Sequence, residues 1–124
     1  MDSERIGRRL FQVAGIICLA AIAVLSVLPG TDRPHVFASG NVEHLLAYAG
    51  AAFFASSLPG LRGWRVVLLL SVASLAFEGL QILIPGRSPG LDNWLASTLG
   101  ALIGMVFARA FFTLARTTLS IASR

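Results

Sequence analysis

Residues 10–28 have the sequence LFQVAGIICLAAIAVLSVL, an apolar run of nineteen residues with only two polar side chains, Gln12 and Ser26. In an α-helix this run extends about 28 Å, close to the hydrocarbon thickness of a bilayer, roughly 30 Å. Pro29-Gly30 follows the run and would stop a helix there. The run is longer than the apolar core of a cleaved signal peptide, so we predict a membrane span that is retained.

Three further apolar runs follow, at residues 41–58, 66–84 and 91–108. The second and third runs end at Pro-Gly pairs, and Arg109 interrupts the fourth, which leaves open how far the last helix continues. The connections are too short to contain a separate soluble domain. We therefore predict an all-α, polytopic membrane protein, in which residues 1–124 form one domain of four transmembrane helices in a compact bundle.

Composition supports lipid as the surrounding solvent. The chain is 56% hydrophobic and 13% charged, whereas a soluble domain has roughly 25% charged residues. A soluble core of this size could not bury so much apolar surface. The net charge of +4 comes from ten arginines, which we interpret as residues that flank membrane spans, so no nucleic-acid partner is expected.

The distribution of arginines predicts the orientation of the bundle. Eight arginines lie at the two chain ends or between the second and third spans, and two lie in the other loops. By the positive-inside rule both termini are then cytoplasmic, and residues 29–40 and 85–90 face outward. The eight are Arg5, Arg8, Arg9, Arg62, Arg65, Arg109, Arg116 and Arg124; the two are Arg33 and Arg87.

Polar side chains share one helix face in each of the last three spans. Their i, i+3, i+4 and i+7 spacings are those of a helical stripe. Glu78 is the most costly, because a carboxylate at membrane depth must become neutral or find a partner such as His44 or Arg87. We predict that the stripes meet in the outer leaflet; they comprise Asn41, His44 and Tyr48 in the second span, Glu78 and Gln81 in the third, and Asn93 and Ser97 in the fourth.

A stripe of small residues marks the last span. Gly100 and Gly104 stand four residues apart, and Ala96 and Ala108 extend the stripe. Such a stripe lets helices approach closely. We interpret it as a helix-packing face, either within the bundle or between protomers.

Metal and cofactor sites are not expected. Cys18 lies within a span and His35 in a loop, which leaves His44 with the carboxylates of Glu43 and Glu78. One histidine with oxygen ligands is a poor zinc site. The sequence also has no glycine-rich phosphate-binding loop and no motif typical of a catalytic nucleophile, so the sequence identifies no catalytic residues.

Several blocks together resemble the VanZ-like family of small bacterial integral membrane proteins. They are His44-x-x-x-Tyr48, Glu78-x-x-Gln81, Pro85-Gly86-Arg87 and the segment 94–104, WLASTLGALIG. The resemblance covers roughly residues 25–108. It implies a multi-pass protein of the bacterial inner (cytoplasmic) membrane, in a family named for a member linked to resistance to the glycopeptide antibiotic teicoplanin. It supplies a class of protein and not a mechanism.

The chain departs from the family pattern at two places. The family usually has Asp-Lys where Gly40-Asn41 stands here. Its fourth block, Asp-x-x-x-Asn-x-x-Gly, puts Asn93 at the aspartate position and Ser97 at the asparagine position. Asp92 is one residue early, which turns its side chain by about 100° on a helix.

We hypothesise a binding protein rather than an enzyme, with an outer-leaflet pocket for a phospholipid, an isoprenoid-linked precursor or a lipophilic antibiotic. It would contribute to envelope homeostasis or glycopeptide-type resistance. Two alternatives stay open: a membrane-embedded enzyme that uses His44 and Glu78 for proton transfer, and a structural subunit. The oligomeric state also stays open. The predicted ligand-binding cluster is His44, Tyr48, Glu78, Gln81, Arg87, Asn93 and Ser97.

Overall fold

The computed structural model of the chain describes residues 2–32, 36 and 39–122. They form four α-helices: α1 (Asp2–Val27), α2 (Gly40–Ala55), α3 (Trp64–Gln81) and α4 (Leu91–Ala122). The all-α prediction is confirmed. Arg33, His35 and Arg124 lie outside the described residues, so the arginine count and the loop histidine are untested there.

Three stretches of helix are long and apolar enough to cross a membrane: Ser3–Val27, Trp64–Gln81 and Leu91–Thr118. The chain is thus a multi-pass membrane protein by its apolar helices. The sixteen residues of α2 extend only about 24 Å. This helix ends before the apolar run does, because the N–H groups of Ser57 and Leu58 bond to carbonyls three residues earlier, at 3.1 and 2.9 Å, and Pro59 follows. The hydroxyls of Ser56 and Ser57 also donate to the carbonyls of Ala52 (2.6 Å) and Phe54 (2.7 Å).

Helix α4 continues beyond the apolar run to Ala122. In its polar last part, three threonine hydroxyls donate to the carbonyl four residues earlier, at 2.8–3.1 Å, so these side chains have partners within the helix itself. The three are Thr113, Thr117 and Thr118. At 32 residues, α4 is about 48 Å long, well beyond the roughly 30 Å of the hydrocarbon layer.

The interior of the bundle mixes small apolar and polar side chains, whereas many large apolar side chains are exposed on its outside. Among the described residues, the largest fully buried side chains are Leu70, Val66, Ser74 and Ser97, whereas Ile17, Leu68 and Phe107 are each more than 60% exposed. Water would penalise that arrangement, but lipid does not, since lipid tails are as apolar as leucine. The distribution therefore agrees with a lipid environment.

Helix α2 packs on α4, α1 and α3, and its largest contact is with α4. Glycines set that contact: a Cβ at Gly100 would collide with the carbonyl of Leu45, and one at Gly104 with the carbonyl of Ala49. The two backbones can approach only because these side chains are absent. Their register places the first turns of α2 opposite the first turns of α4.

The turns after α1 and α3 meet at one end of the bundle. Gly30 donates its N–H to the carbonyl of Pro85 at 3.2 Å, and a Cβ on Gly30 would collide with the carbonyl of Gly86. Gly86 has φ +74°, a conformation that glycine adopts without strain. The two Pro-Gly turns are thus held together beside the first turns of α2 and α4.

Candidate functional site

The polar stripes converge at this end. His44 and Tyr48 on α2, Gln81 on α3 and Ser97 on α4 are each buried, with at most 9% of their surface exposed. Glu78, on α3, is 7% exposed. Polar side chains are buried where hydrogen bonds replace those to water, so their partners indicate what each one does. We call these five residues the polar cluster.

His44 and Ser97 link α2 to α4. The Nδ1 atom of His44 lies 3.1 Å from Ser97 Oγ, and the ring of Tyr48 stacks on that of His44 at 6.2 Å between centroids. The Tyr48 hydroxyl lies among the side chains of Ser26, Ser74 and Ser97. Ser74 Oγ nevertheless has no partner at hydrogen-bond geometry, so the centre of the cluster holds one unsatisfied hydroxyl among the described residues.

Glu78 holds the segment that leads into α4. Its Oε2 accepts the N–H of Gly90 at 2.8 Å and a bond from Asn93 Nδ2 at 3.3 Å. Both donors lie at the amino end of α4, where the helix dipole favours a negative charge. Neither His44 nor Arg87, the partners suggested by the sequence, is among the described hydrogen-bond partners of Glu78, because the turn brings α4 itself closer.

Arg87 and Gln81 hold the end of α1. Arg87 Nε donates to the carbonyl of Leu28 at 2.8 Å, and its Nη2 donates to the carbonyl of Leu25. Gln81 Nε2 donates to the carbonyl of Ser26 at 3.0 Å. The last carbonyls of a helix have no partner within it, so the two side chains cap α1, a role that the sequence pattern did not indicate for Arg87.

The two places where the chain departs from the family pattern are in contact. Asn41 Nδ2 donates to Asp92 Oδ2 at 3.0 Å. The side chain of Asp92 therefore reaches α2 although it stands one residue early. The predicted ligand-binding cluster did not include these two residues, although Asn41 belongs to the predicted stripe of the second span, and it also missed Ser26. Ser26 could have been found from the sequence, because it is one of two polar residues in the apolar run 10–28.

Two adjoining cavities open at the polar cluster. The first, about 360 Å³, is lined mainly by polar residues, Asn41, Asp92 and Asn93 among them. The second, about 400 Å³, adds the apolar side chains of Ile22, Leu25, Leu46 and Ala47. Both volumes are in the range of small-molecule sites.

The cavities meet at three of the predicted residues, His44, Gln81 and Arg87, which line both. Tyr48 lines the second cavity only, and Asn93 the first only. Glu78 and Ser97 line neither and lie behind the walls. Among the described residues no group of three His, Cys, Asp or Glu side chains could hold a metal ion.

Fold and site define a multi-pass α-helical membrane protein with a polar, cavity-lined cluster at one end. The sequence model of the VanZ/LLP1 family matches residues 8–113, and the chain belongs to this family. The resemblance drawn from the sequence is confirmed and extends further in both directions. The chain matches no curated protein and no solved structure.

Proposed function

We propose that the two adjoining cavities bind one amphiphilic molecule of the bacterial envelope, with its headgroup in the first cavity and its apolar chain in the second. The observation that carries the proposal is the wall they share: His44, Gln81 and Arg87 line both spaces. A purely polar ligand would leave the second cavity empty, and a purely apolar one would place no polar group in the first cavity, which is lined mainly by polar residues. A phospholipid, an isoprenoid-linked precursor or a lipophilic antibiotic fits both.

The proposed orientation places this site in the outer leaflet of the inner membrane. Arg87 lies at the end of the bundle that holds the polar cluster, whereas seven arginines lie at the opposite end. The seven are Arg5, Arg8, Arg9, Arg62, Arg65, Arg109 and Arg116. The positive-inside rule then makes both termini cytoplasmic. Helix α2 would be the fourth span: it is short, yet three other helices pack against it. From this position the protein would contribute to envelope homeostasis or glycopeptide-type resistance.

A second function, a structural subunit without a ligand, is favoured by the hydrogen bonds themselves. Glu78, Gln81 and Arg87 each tie one chain segment to another. The enzyme alternative has less support, because His44 bonds to Ser97 while Glu78 bonds to Gly90 and Asn93. An acid–base pair needs both groups within reach of the same proton.

The test is to fill the second cavity without disturbing the network. Ala47 lines this cavity and is exposed, so Ala47→Trp would occupy it at little cost to folding. Ala110→Trp is the matched control, since Ala110 is also exposed and lines none of the cavities described for this chain. Native mass spectrometry of gently solubilised protein would measure the retained amphiphile.

We expect wild type and Ala110→Trp to retain one stoichiometric amphiphile, whose mass gives its identity, and Ala47→Trp to lose it. Equal retention by both variants would contradict the proposal. Absence of any retained molecule from all three, with folded protein, would favour the structural function.

A further inference from the structure

A third cavity, about 530 Å³, lies at the opposite end of the bundle. It is formed by the first turns of α1, the connection between α2 and α3, and the last part of α4. Four arginines from these three segments line it, against the one carboxylate of Glu4. We call it the arginine cavity; the four are Arg8, Arg62, Arg109 and Arg116.

These arginines are exposed, and none has a side-chain hydrogen bond or ion pair to a residue that the structure describes. The network that holds the bundle together therefore does not use them. Arginines that only set the orientation of a protein in the membrane need to flank its spans, but they need not line one common space. Here residues far apart in the sequence line one space, and Arg109 and Arg116, seven positions apart, share a face of α4.

The wall beside these arginines is apolar and aromatic. Phe11, Phe111 and Phe112 line the cavity. Phe11 stacks on Phe111 at 5.5 Å between centroids and lies 6.0 Å from Phe112. Phe53 and Phe54, on α2, support the same ring cluster from behind. The cavity thus combines a concentrated positive charge with a fixed surface that suits hydrocarbon.

We propose that the arginine cavity binds the phosphate headgroup of an anionic phospholipid from the adjacent leaflet, with an acyl chain along the phenylalanine wall. Guanidinium groups pair with phosphate oxygens through two parallel hydrogen bonds. Basic pockets between membrane helices are known sites for anionic headgroups. A free phosphate ion shares the charge chemistry, but the aromatic wall favours the lipid. The inference is independent of the proposed function at the other end.

The experiment titrates dioleoyl phosphatidylglycerol or dioleoyl phosphatidylcholine into detergent-solubilised full-length protein and counts bound lipid by native mass spectrometry. The cavity variant is Arg62→Gln/Arg109→Gln. The control is Arg9→Gln/Arg65→Gln, which removes the same charge from the same end but from residues that do not line the cavity. Circular dichroism verifies that both fold.

We expect wild type and control to bind one phosphatidylglycerol with affinities within threefold of each other, and the cavity variant to bind it roughly 30-fold more weakly, about fivefold for each arginine. Phosphatidylcholine should bind wild type at least tenfold more weakly. An equal loss in both variants would show a general charge effect and overturn the site. Displacement of the lipid by an equal concentration of inorganic phosphate would overturn its assignment to a lipid.

Discussion

The two ends of the bundle handle polar groups in opposite ways. At the polar cluster, the ionisable and amide side chains turn inward and bond to other segments, as Glu78 does to Gly90 and Gln81 to Ser26. At the arginine cavity the charged side chains are exposed and line an open space, and phenylalanine rings supply the contacts between α1, α2 and α4. The two sites are thus distinguished by whether their polar side chains are buried with hydrogen-bond partners, rather than by the number of charges.

The largest expected effect on the free energy of unfolding comes from the contact between α2 and α4, whose register positions the polar cluster. Gly100→Ala places a methyl group on the carbonyl of Leu45, a backbone group that cannot turn aside, so α2 and α4 must separate at a cost of about 3 kcal/mol. Gly79→Ala is the control, because a Cβ there meets nothing within 4 Å, and it should be neutral or stabilise the helix by up to about 1 kcal/mol. Steric-trap unfolding in bicelles would measure both; equal free energies of unfolding for the two variants would refute this packing.

The next largest effect on stability tests which feature of Glu78 holds the segment before α4. Glu78→Ala leaves the Gly90 N–H without an acceptor, and we expect a loss of about 1–3 kcal/mol. Glu78→Gln keeps an acceptor oxygen and should cost less than half as much, since only the charge assistance is lost. The free energy of unfolding of both variants gives the comparison. If Glu78→Gln were as destabilising as Glu78→Ala, the charge and not the bond to Gly90 would be what matters.

The smallest effect compares two buried serines. Ser97→Ala removes the contact with His44 and should cost about 0.6 kcal/mol, the average for side-chain hydrogen bonds between membrane helices. Ser74→Ala removes a hydroxyl that has no partner and should be neutral or slightly stabilising. Both substitutions delete one oxygen from a buried site, so the same unfolding assay compares them directly. A greater loss at Ser74 would indicate that an ordered water or the Tyr48 hydroxyl satisfies it.

The lengths of the apolar runs were sufficient to predict the four helices, and helical periodicity the polar stripes, because the face that a residue occupies is a local property of the helix. It also singled out Gly100 and Gly104, whose spacing is that of a close contact. The partners of Glu78 and Arg87 were not predictable in the same way. They depend on how the Pro85–Gly90 turn folds back on α1 and α4, which is a property of the assembled bundle.

Helix ends were predicted less well than helix faces, for a chemical reason. The length of an apolar run reflects the thickness of the membrane, whereas a helix ends where its backbone hydrogen bonds end. The backbone bonds of Ser57 and Leu58 end α2 inside an apolar run, and α4 continues through a polar segment as far as Ala122. The arginine cavity was likewise hidden, because its residues were interpreted only as signals of orientation.

The proposed function requires the second cavity to select one amphiphile from the membrane. Leu46 and Leu99 offer a matched pair for its test, since they are 49% and 50% exposed but only Leu46 lines that cavity. A photoreactive amino acid at each position, activated in native membranes, would attach neighbouring lipids for mass analysis. We expect one dominant species at position 46 and the bulk lipid mixture at position 99. The same bulk mixture at both positions would contradict it.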